Sequence, residues 1–450
     1  MSNKQKPNIL LIITDQQSAD ALGCQNQGGH LRTPAMDAIA SNGVLFNRAY
    51  CPHPLCVPCR ASLFSGRYPH ETGVFSNADL SRDMSAFPCL GAVFRDAGYD
   101  TGYVGKWHTP YPIENSNLHG FKDTANIRNN GADIHNNEKA IRFLEKKRHK
   151  PFLLVASYNN PHNICEWGRG GRGDLPDGVI ETPPPLDECP PLRKNHLPEI
   201  DEADTVTLLR RSYQATPMFP VSDFGEREWR EYQWAYYRMV EILDARIGEL
   251  LGAVHAVGYG QNTAIVFLSD HGDSQGAHQW NQKTNFYDES SRVPFIISGP
   301  EKLPRGTSDQ LVQVGVDLYP TLCGIAGIDA PPGLPGTDAL KLAREGDETT
   351  RPWIVSATRF VQGGEVDGSI PEADGRMVRG RRFKYCVYDT GDHRESLSDM
   401  EKDPGETVNL ARNPDYLENL NRHRIYLKEF CSETADTFPY VPPFAGRSTP

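Results

Sequence analysis

The sequence predicts an α/β fold in which a large mixed, mostly parallel sheet is sandwiched by helices and followed by a small C-terminal α+β unit. Three observations carry that reading. Four uninterrupted apolar runs have the length of strands, and such runs mark strands buried on both faces of a parallel sheet. Each run ends in polar residues able to do chemistry, as at the carboxyl ends of strands in open α/β sheets. Segments with a helical repeat lie between the runs, the alternation that crossovers between parallel strands require.

In chain order, Ile9-Leu10-Leu11-Ile12-Ile13 gives the first strand and leads into Thr14-Asp15-Gln16. Thr33 to Asn42 is a short amphipathic helix. Pro58 suits a first helical turn, Ala61 to Phe64 continue it and Gly66 ends it, which places Cys56 at a helix N-terminus. Leu90 to Ala97 is a second short helix. Thr101 to Val104 is a weaker strand leading into Gly105-Lys106-Trp107-His108, and Phe152 to Ala156 is a strand leading into Asn160-Pro161-His162. Residues 165–222, rich in Pro, Gly and charge, read as an excursion over the surface, with Arg169 and Arg172 as solvated loop arginines. A long helix follows over Gly225 to His255, its stripe formed by Val240, Leu243, Ile247, Leu250 and Leu251, with Trp229, Trp234, Tyr236 and Tyr237 as core. The fourth run, Ala264 to Leu268, leads into Ser269-Asp270-His271-Gly272. The charged stretch Arg344 to Glu348 marks a seam between a large unit, residues 1–345, and a small one, residues 346–450. The small unit has strands at Trp353 to Ala357 and Arg376 to Tyr388 and a closing helix at Pro414 to Phe430, an antiparallel sheet plus a helix.

The chain's 450 residues are 38% hydrophobic and include 40 glycines, ordinary for a globular protein and unlike a disordered or fibrous one. Lys+Arg 47 against Asp+Glu 58 leaves a net charge of −11, which offers nucleic acid no basic surface. The polar stretch Met1 to Lys6 and the short run Ile9 to Ile13 form neither a signal-peptide core nor a membrane span. The sequence as written therefore reads as cytoplasmic, with no membrane partner. Ten cysteines over this length are too dilute for a disulfide scaffold.

Asp15, Lys106, His108, His162, Asp270 and His271 lie just beyond predicted strand ends, so they point to one shared site at one edge of the sheet. Cys56 joins them as a group at a helix N-terminus, where negative charge is favoured. A different reading comes from spacing: Cys51, Cys56 and Cys59 follow the plant-type iron–sulfur pattern, with Cys89 downstream as a fourth ligand. An electron carrier leaves Asp15, Asp270, His108, His162 and Lys283 without a task.

With Cys56-Val57-Pro58-Cys59-Arg60 in view, the chain resembles the type I, formylglycine-dependent sulfatases of the alkaline-phosphatase-like superfamily. The resemblance runs over nearly the whole chain: Asn8 to Gln16, Cys56 to Arg67, Gly105 to His108, Asn160 to His162, Ser269 to Lys283, Val316 to Thr321, and Asp399 to Leu410. It implies an alkaline-phosphatase-like fold and a sulfuric ester hydrolase. It also implies that a formylglycine-generating maturation enzyme oxidises Cys56 to an aldehyde. One hydroxyl of the aldehyde hydrate attacks sulfur, and the other drives release of inorganic sulfate. The resemblance further implies one divalent cation, usually calcium, held by Asp15, Gln16, Asp270, His271 and the modified Cys56, a mostly oxygen set suited to a hard ion. Arg60 and Lys106 would hold the hydrate, His108 would steer its proton transfers, and His162 and Lys283 would meet the sulfate and leaving group. His278 and Trp280 resemble positions near a substrate entrance.

The family often has Ser where this chain has Cys59, and a second Asp where it has Gln16, which removes one anionic ligand. Relatives with the same site hydrolyse phosphonate monoesters or phosphodiesters, an alternative that fold alone leaves open. The stretches Asn160 to His162 and His278 to Lys283 resemble the carbohydrate sulfatases, so the expected substrate is a small organic sulfate, a sulfated sugar or oligosaccharide.

Overall fold

A computed structural model describes residues 6–439 except 27, 130, 172–174, 179, 301–302 and 348–349. Eight strands form the main sheet: β1 (Asn8–Asp15), β2 (Gly43–Tyr50), β3 (Asp100–Lys106), β4 (Asp123–Arg128), β5 (Phe152–Pro161), β6 (Thr263–Ser269), β7 (Phe295–Ser298) and β8 (Gly306–Gln313), in the order β4-β3-β5-β1-β6-β7-β2-β8. Only β7 runs against its neighbours; the remaining pairs are parallel. The predicted mixed, mostly parallel sheet is therefore present, and seven strands deliver their carboxyl ends to one edge.

The apolar run of β1 explains the layering. Ile9, Leu11 and Ile13 join one core with α2 (Cys56–Ser65), α3 (Leu90–Asp96) and α8 (Val314–Ala326), through residues such as Leu63, Phe94 and Leu322. Leu10 and Ile12 face the opposite core, covered by α1 (Pro34–Ser41), α4 (Asn136–Glu145), α5 (Ile164–Gly168) and α7 (Glu226–Ala256), through Met36, Phe143, Ile164 and Leu243. Both faces of β1 are fully buried, and each such aliphatic side chain contributes about 1.5–3 kcal/mol.

A second, antiparallel sheet has the order β12-β11-β10-β9, formed by β9 (Trp353–Phe360), β10 (Ala373–Gly380), β11 (Phe383–Tyr388) and β12 (Glu395–Asp399). Ile354, Met377 and Cys386 on its inner face pack with Tyr50 and Leu311 of the main sheet. Its outer face, with Val355, Val378 and Tyr385, is covered by Leu420, Leu427 and Phe430 of α9 (Leu417–Thr434). The stretch Arg376 to Tyr388, expected as one strand, is a hairpin that turns at Arg381 and Arg382.

Residues 165–222 need correcting. They include α6 (Asp204–Gln214), whose Val206, Leu209 and Tyr213 are buried against the second sheet's core, so part of the stretch is packed structure. Arg172 lies outside the described residues.

Candidate active site

Register brings the strand ends together: Thr14 pairs with Ser269 and Asp15 with Pro161, which sets Asp15, Asp270 and His162 side by side. Lys106 arrives at the end of β3, after Gly105, whose φ of 96° and contact with the Ser157 carbonyl leave no room for a Cβ. Cys56 opens α2 behind Leu55, and the helix ends at Gly66 in the left-handed region with φ of 68°.

Arg60, fully buried, braces the two carboxylates. Its Nη2 donates to Asp15 Oδ2 at 3.1 Å, its Nε to Asp270 Oδ2 at 2.8 Å, and its Nη1 to Ser157 Oγ at 2.9 Å. Lys106 Nζ adds an ion pair to Asp15 Oδ2 at 2.8 Å. With the Oδ2 atoms taken, the Oδ1 atoms face a different group. His271 Nε2 lies 3.6 Å from Asp270 Oδ1 and 3.9 Å from Asp15 Oδ1, and Cys56 Sγ lies 3.2 Å from His271 Nε2 and 3.8 Å from Asp15 Oδ1. One ligand atom from each of Asp15, Cys56, Asp270 and His271 falls within 4.8 Å of the others, a set able to hold a metal ion. His271 Nδ1 sits 3.0 Å from the Gly272 carbonyl, and a proton held there leaves the Nε2 lone pair for the group. Burial and the charge on Asp15 push Asp270 up to about 7, a repulsion that a divalent cation on the Oδ1 side relieves. The residues present fit a hard cation.

Lys283 Nζ approaches Cys56 Sγ at 3.3 Å. Burial and Asp15 push the Cys56 thiol up, but Lys283, Lys106 and His271 outweigh them and hold it well below its ordinary range. Burial pushes Asp15 up too, yet the cations Lys106, Arg60 and Lys283 hold its carboxyl well below the usual range. His162 is kept neutral by burial and by Lys106 and Lys283, which bring it down to about 3. Burial likewise lowers His108, whose buried Nδ1 has no hydrogen-bond partner among the described residues.

A cavity of about 390 Å³ opens above this group, and His108, His162, Cys165, Arg169 and Lys283 line it. The volume is at the small end of the range for small-molecule pockets. Arg169 is tethered by Nη1 to Glu166 Oε1 at 2.7 Å and by Nε to the Met218 carbonyl at 3.1 Å. Its Nη2 has no hydrogen bond to a described residue.

Most of the expected site residues converge, with three differences in placement. Gln16 turns its amide away from the carboxylate pair: Oε1 accepts from Lys283 Nζ at 2.6 Å and Nε2 donates to Asp273 Oδ2 at 2.7 Å. His278 is stacked on Tyr287 with ring centres 3.7 Å apart, and Trp280 packs on Tyr213 at 5.5 Å; both are buried and neither lines the cavity. The iron–sulfur reading finds no support, because Cys51, Cys59 and Cys89 are buried in the apolar core and no group of three or more cysteines close enough to share an ion forms among the described residues. Sequence reading missed Asp273 and Cys165. Asp273 stands three residues beyond Asp270, and that spacing was the available signal; Cys165, at 3.6 Å from Gln16 Nε2, had none.

The family model described as sulfatase matches residues 7–328, and that of the N-sulphoglucosamine sulphohydrolase C-terminal region matches residues 276–431. The chain is 31% identical to a Delta 4,5-hexuronate-2-O-sulfatase of Bacteroides thetaiotaomicron, over 97% of this chain and 91% of that one. It is 30% identical to an ulvan-active sulfatase of Formosa agariphila, over 96% of this chain and 82% of the relative. The solved structure of a 2-O GAG sulfatase superposes with a TM-score of 0.82 at 31% identity, covering 96% of this chain and 93% of that one. The two-sheet architecture is thus the alkaline-phosphatase-like fold of these sulfatases. A matched family model over most of the chain, relatives aligned nearly end to end, and strand ends that gather two carboxylates, a cysteine and several cations lead to one conclusion: the chain belongs to the sulfatase family and is a sulfuric ester hydrolase.

Proposed function

We propose that the chain releases sulfate from a small sulfated carbohydrate that bears a carboxylate, using Cys56 after conversion to formylglycine and one bound calcium ion. The observation that carries this reading is the position of Cys56, between the Asp15–Asp270 pair and Lys283 beneath a small cavity. Once hydrated, the aldehyde supplies two hydroxyls on one carbon, one to take up sulfur and one to release it. Asp15, Asp270, His271 and the modified Cys56 would hold the cation, which polarises the nucleophile and the sulfate oxygens. Gln16 orients Lys283 and stands beside this set.

Each remaining group has a task set by its contacts. Arg60 keeps the carboxylates parallel, and Lys106 neutralises Asp15. Lys283 places positive charge where the sulfuryl oxygens gather negative charge. The neutral imidazole of His162 can donate an N–H hydrogen bond to the leaving-group oxygen as negative charge builds on it, and that of His108 can accept a proton from the hydrate. Arg169 offers Nη2 at the rim to a second anion of the substrate. The name of the hexuronate sulfatase relative supports a uronate there, since a hexuronate carries a carboxylate.

Peptide mass spectrometry across Cys56, on protein made with a maturation enzyme, is expected to find the aldehyde; an intact thiol under those conditions overturns the covalent mechanism. The matured enzyme is expected to prefer a 2-O-sulfated uronate and aryl sulfates over phosphodiesters, and preference for the diester sinks the substrate assignment. Arg169→Ala is expected to raise KM for the sulfated uronate about tenfold and leave a neutral sulfated sugar unchanged.

A further inference from the structure

Asn129 and Asp133, which follow β4, reach the ends of β3 and β5. Asn129 Oδ1 accepts the His108 peptide N–H at 3.2 Å. Asp133, fully buried, accepts the peptide N–H of Asn159 on Oδ1 at 2.7 Å and that of Asn160 on Oδ2 at 2.8 Å, with Asn136 Nδ2 on Oδ1 at 3.0 Å. Asp177 completes the anchor. It accepts the Asp133 peptide N–H at 2.6 Å, and its Oδ2 accepts Asn160 Nδ2 at 2.9 Å and Asn163 Nδ2 at 3.0 Å. Two carboxylates thereby fix residues on both sides of His162. The imidazole itself is held loosely, 4.0 Å from Asp15 Oδ1 and 4.0 Å from Cys165 Sγ, so the loop rather than the ring's own partners sets its place.

We propose that Asp133 and Asp177 are positioning residues for sulfate-ester cleavage, holding the loop 159–163 so that the His162 imidazole faces the leaving-group oxygen. This rests on the role given to His162 above. Neither carboxylate touches the cavity floor; each acts through peptide and amide N–H groups that no other acceptor among the described residues takes at these distances. Asp177 also follows Pro176, a cavity wall residue, which ties the wall to the same anchor. An amide in place of either carboxylate turns an NH2 toward an N–H that it should accept, and the loop must then shift. Displacement of a reacting group by about 1 Å lowers rates by about 10²-fold.

The test compares Asp133→Asn, Asp177→Asn and the milder Asn163→Ala with His162→Ala and the double variants. Rates are normalised to aldehyde content, and the substrates are aryl sulfates of graded leaving-group acidity plus a sulfated uronate. The expected result is a loss of about 10²-fold on the poorest leaving group, shrinking toward none on the best, and no further loss when Asp177→Asn is added to His162→Ala. If His162→Ala shows no dependence on the leaving group, the role of His162 falls and this proposal with it. If His162→Ala behaves as expected but the carboxylate variants lose rate equally on all substrates, or their losses multiply with His162→Ala, the proposal alone is overturned. Asn163→Ala removes one hydrogen bond to Asp177 and also trims a cavity-lining side chain, so it is judged by its leaving-group dependence and by whether its loss vanishes in the His162→Ala background, which keeps the comparison available if an Asp variant does not fold.

Discussion

At Arg60 the buried charges of the site are brought into one arrangement, because a planar guanidinium presents separate N–H groups in a fixed fork, Nη2 to Asp15 and Nε to Asp270. The Oδ1 atoms face Cys56 and His271, Asp270 Oδ1 also accepting the Gln16 and His271 peptide N–H groups at 3.2 and 2.9 Å, and the cation proposed on that side yields a prediction for Asp270. Asp270→Asn keeps the shape, removes one anionic ligand and one of the two carboxylates on Arg60, which retains Asp15, a change that destabilises by about 1–3 kcal/mol. Wild-type protein is expected to melt higher in calcium than in chelator; the variant should melt lower and gain nothing from calcium, and an unchanged calcium response refutes the assigned ligand set. Asp15, Lys106, His162 and Asp270 were legible in the sequence because each follows an apolar run, and the run fixes where the side chain emerges. His278 and Trp280 were misleading for a physical reason. Positive φ at Gln275, His278, Gln279, Gln282 and Thr284 winds this segment irregularly, so Lys283 reaches Cys56 while His278, five residues earlier, turns into aromatic packing.

Among the elements, α2 and β9 decide whether the nucleophile is presented at all. β9 docks on the segment before Cys56: Ser356 Oγ donates to the Cys51 carbonyl at 2.6 Å, Ala357 N–H to the Pro52 carbonyl at 2.8 Å, and Arg359 N–H to His53 Nε2 at 3.0 Å. The second sheet thus braces the start of α2, and Thr358 Oγ1, donating to the Thr284 carbonyl at 2.9 Å, braces the residue after Lys283. Cys56, Pro58 and Arg60 are all fully buried by this packing, so an enzyme that reads them must act before the chain folds. Co-synthesis with the maturation enzyme is expected to give aldehyde at Cys56, while the same enzyme added to folded thiol protein gives none by mass spectrometry; conversion of the folded protein refutes this order. The long helix α7 was readable from its period, and the four strands from their apolar runs and the polar residues that end them. The edge strands β4 and β8 were not, since Asp123 to Arg128 and Gly306 to Gln313 carry too many polar residues, and β7 is too short to stand out.

The molecule as a whole carries a net charge of −11, yet its interior holds neutral histidines among cations, and this makes it sensitive to acid. His53 lies at the joint of the two sheets. Burial, with Arg376 and Arg359 nearby, pushes it down to about 3, and its Nε2 must stay unprotonated to accept the Arg359 N–H. The sign follows from proton uptake: the unfolded chain binds a proton on this histidine below about pH 6.5, the folded chain does not until far lower, so the stability it contributes is full above 6.5 and lost as pH falls. Asp270 and Asp133, both raised to about 7, act in the opposite direction, their contribution lost as pH rises, so the wild-type curve alone mixes the two. A comparison isolates the histidine. His53→Gln retains an acceptor for Arg359 but cannot take up a proton. It is expected to be less stable than wild type at pH 7.5, with the gap closing by about 1.4 kcal/mol for each pH unit below 6.5. Urea unfolding at pH 7.5, 6.5 and 5.5 measures that gap, with the midpoints and slopes fitted at each pH. A gap that stays constant would mean that His53 takes up its proton within the folded protein, and the joint between the sheets would then owe its stability to apolar packing rather than to a histidine kept neutral.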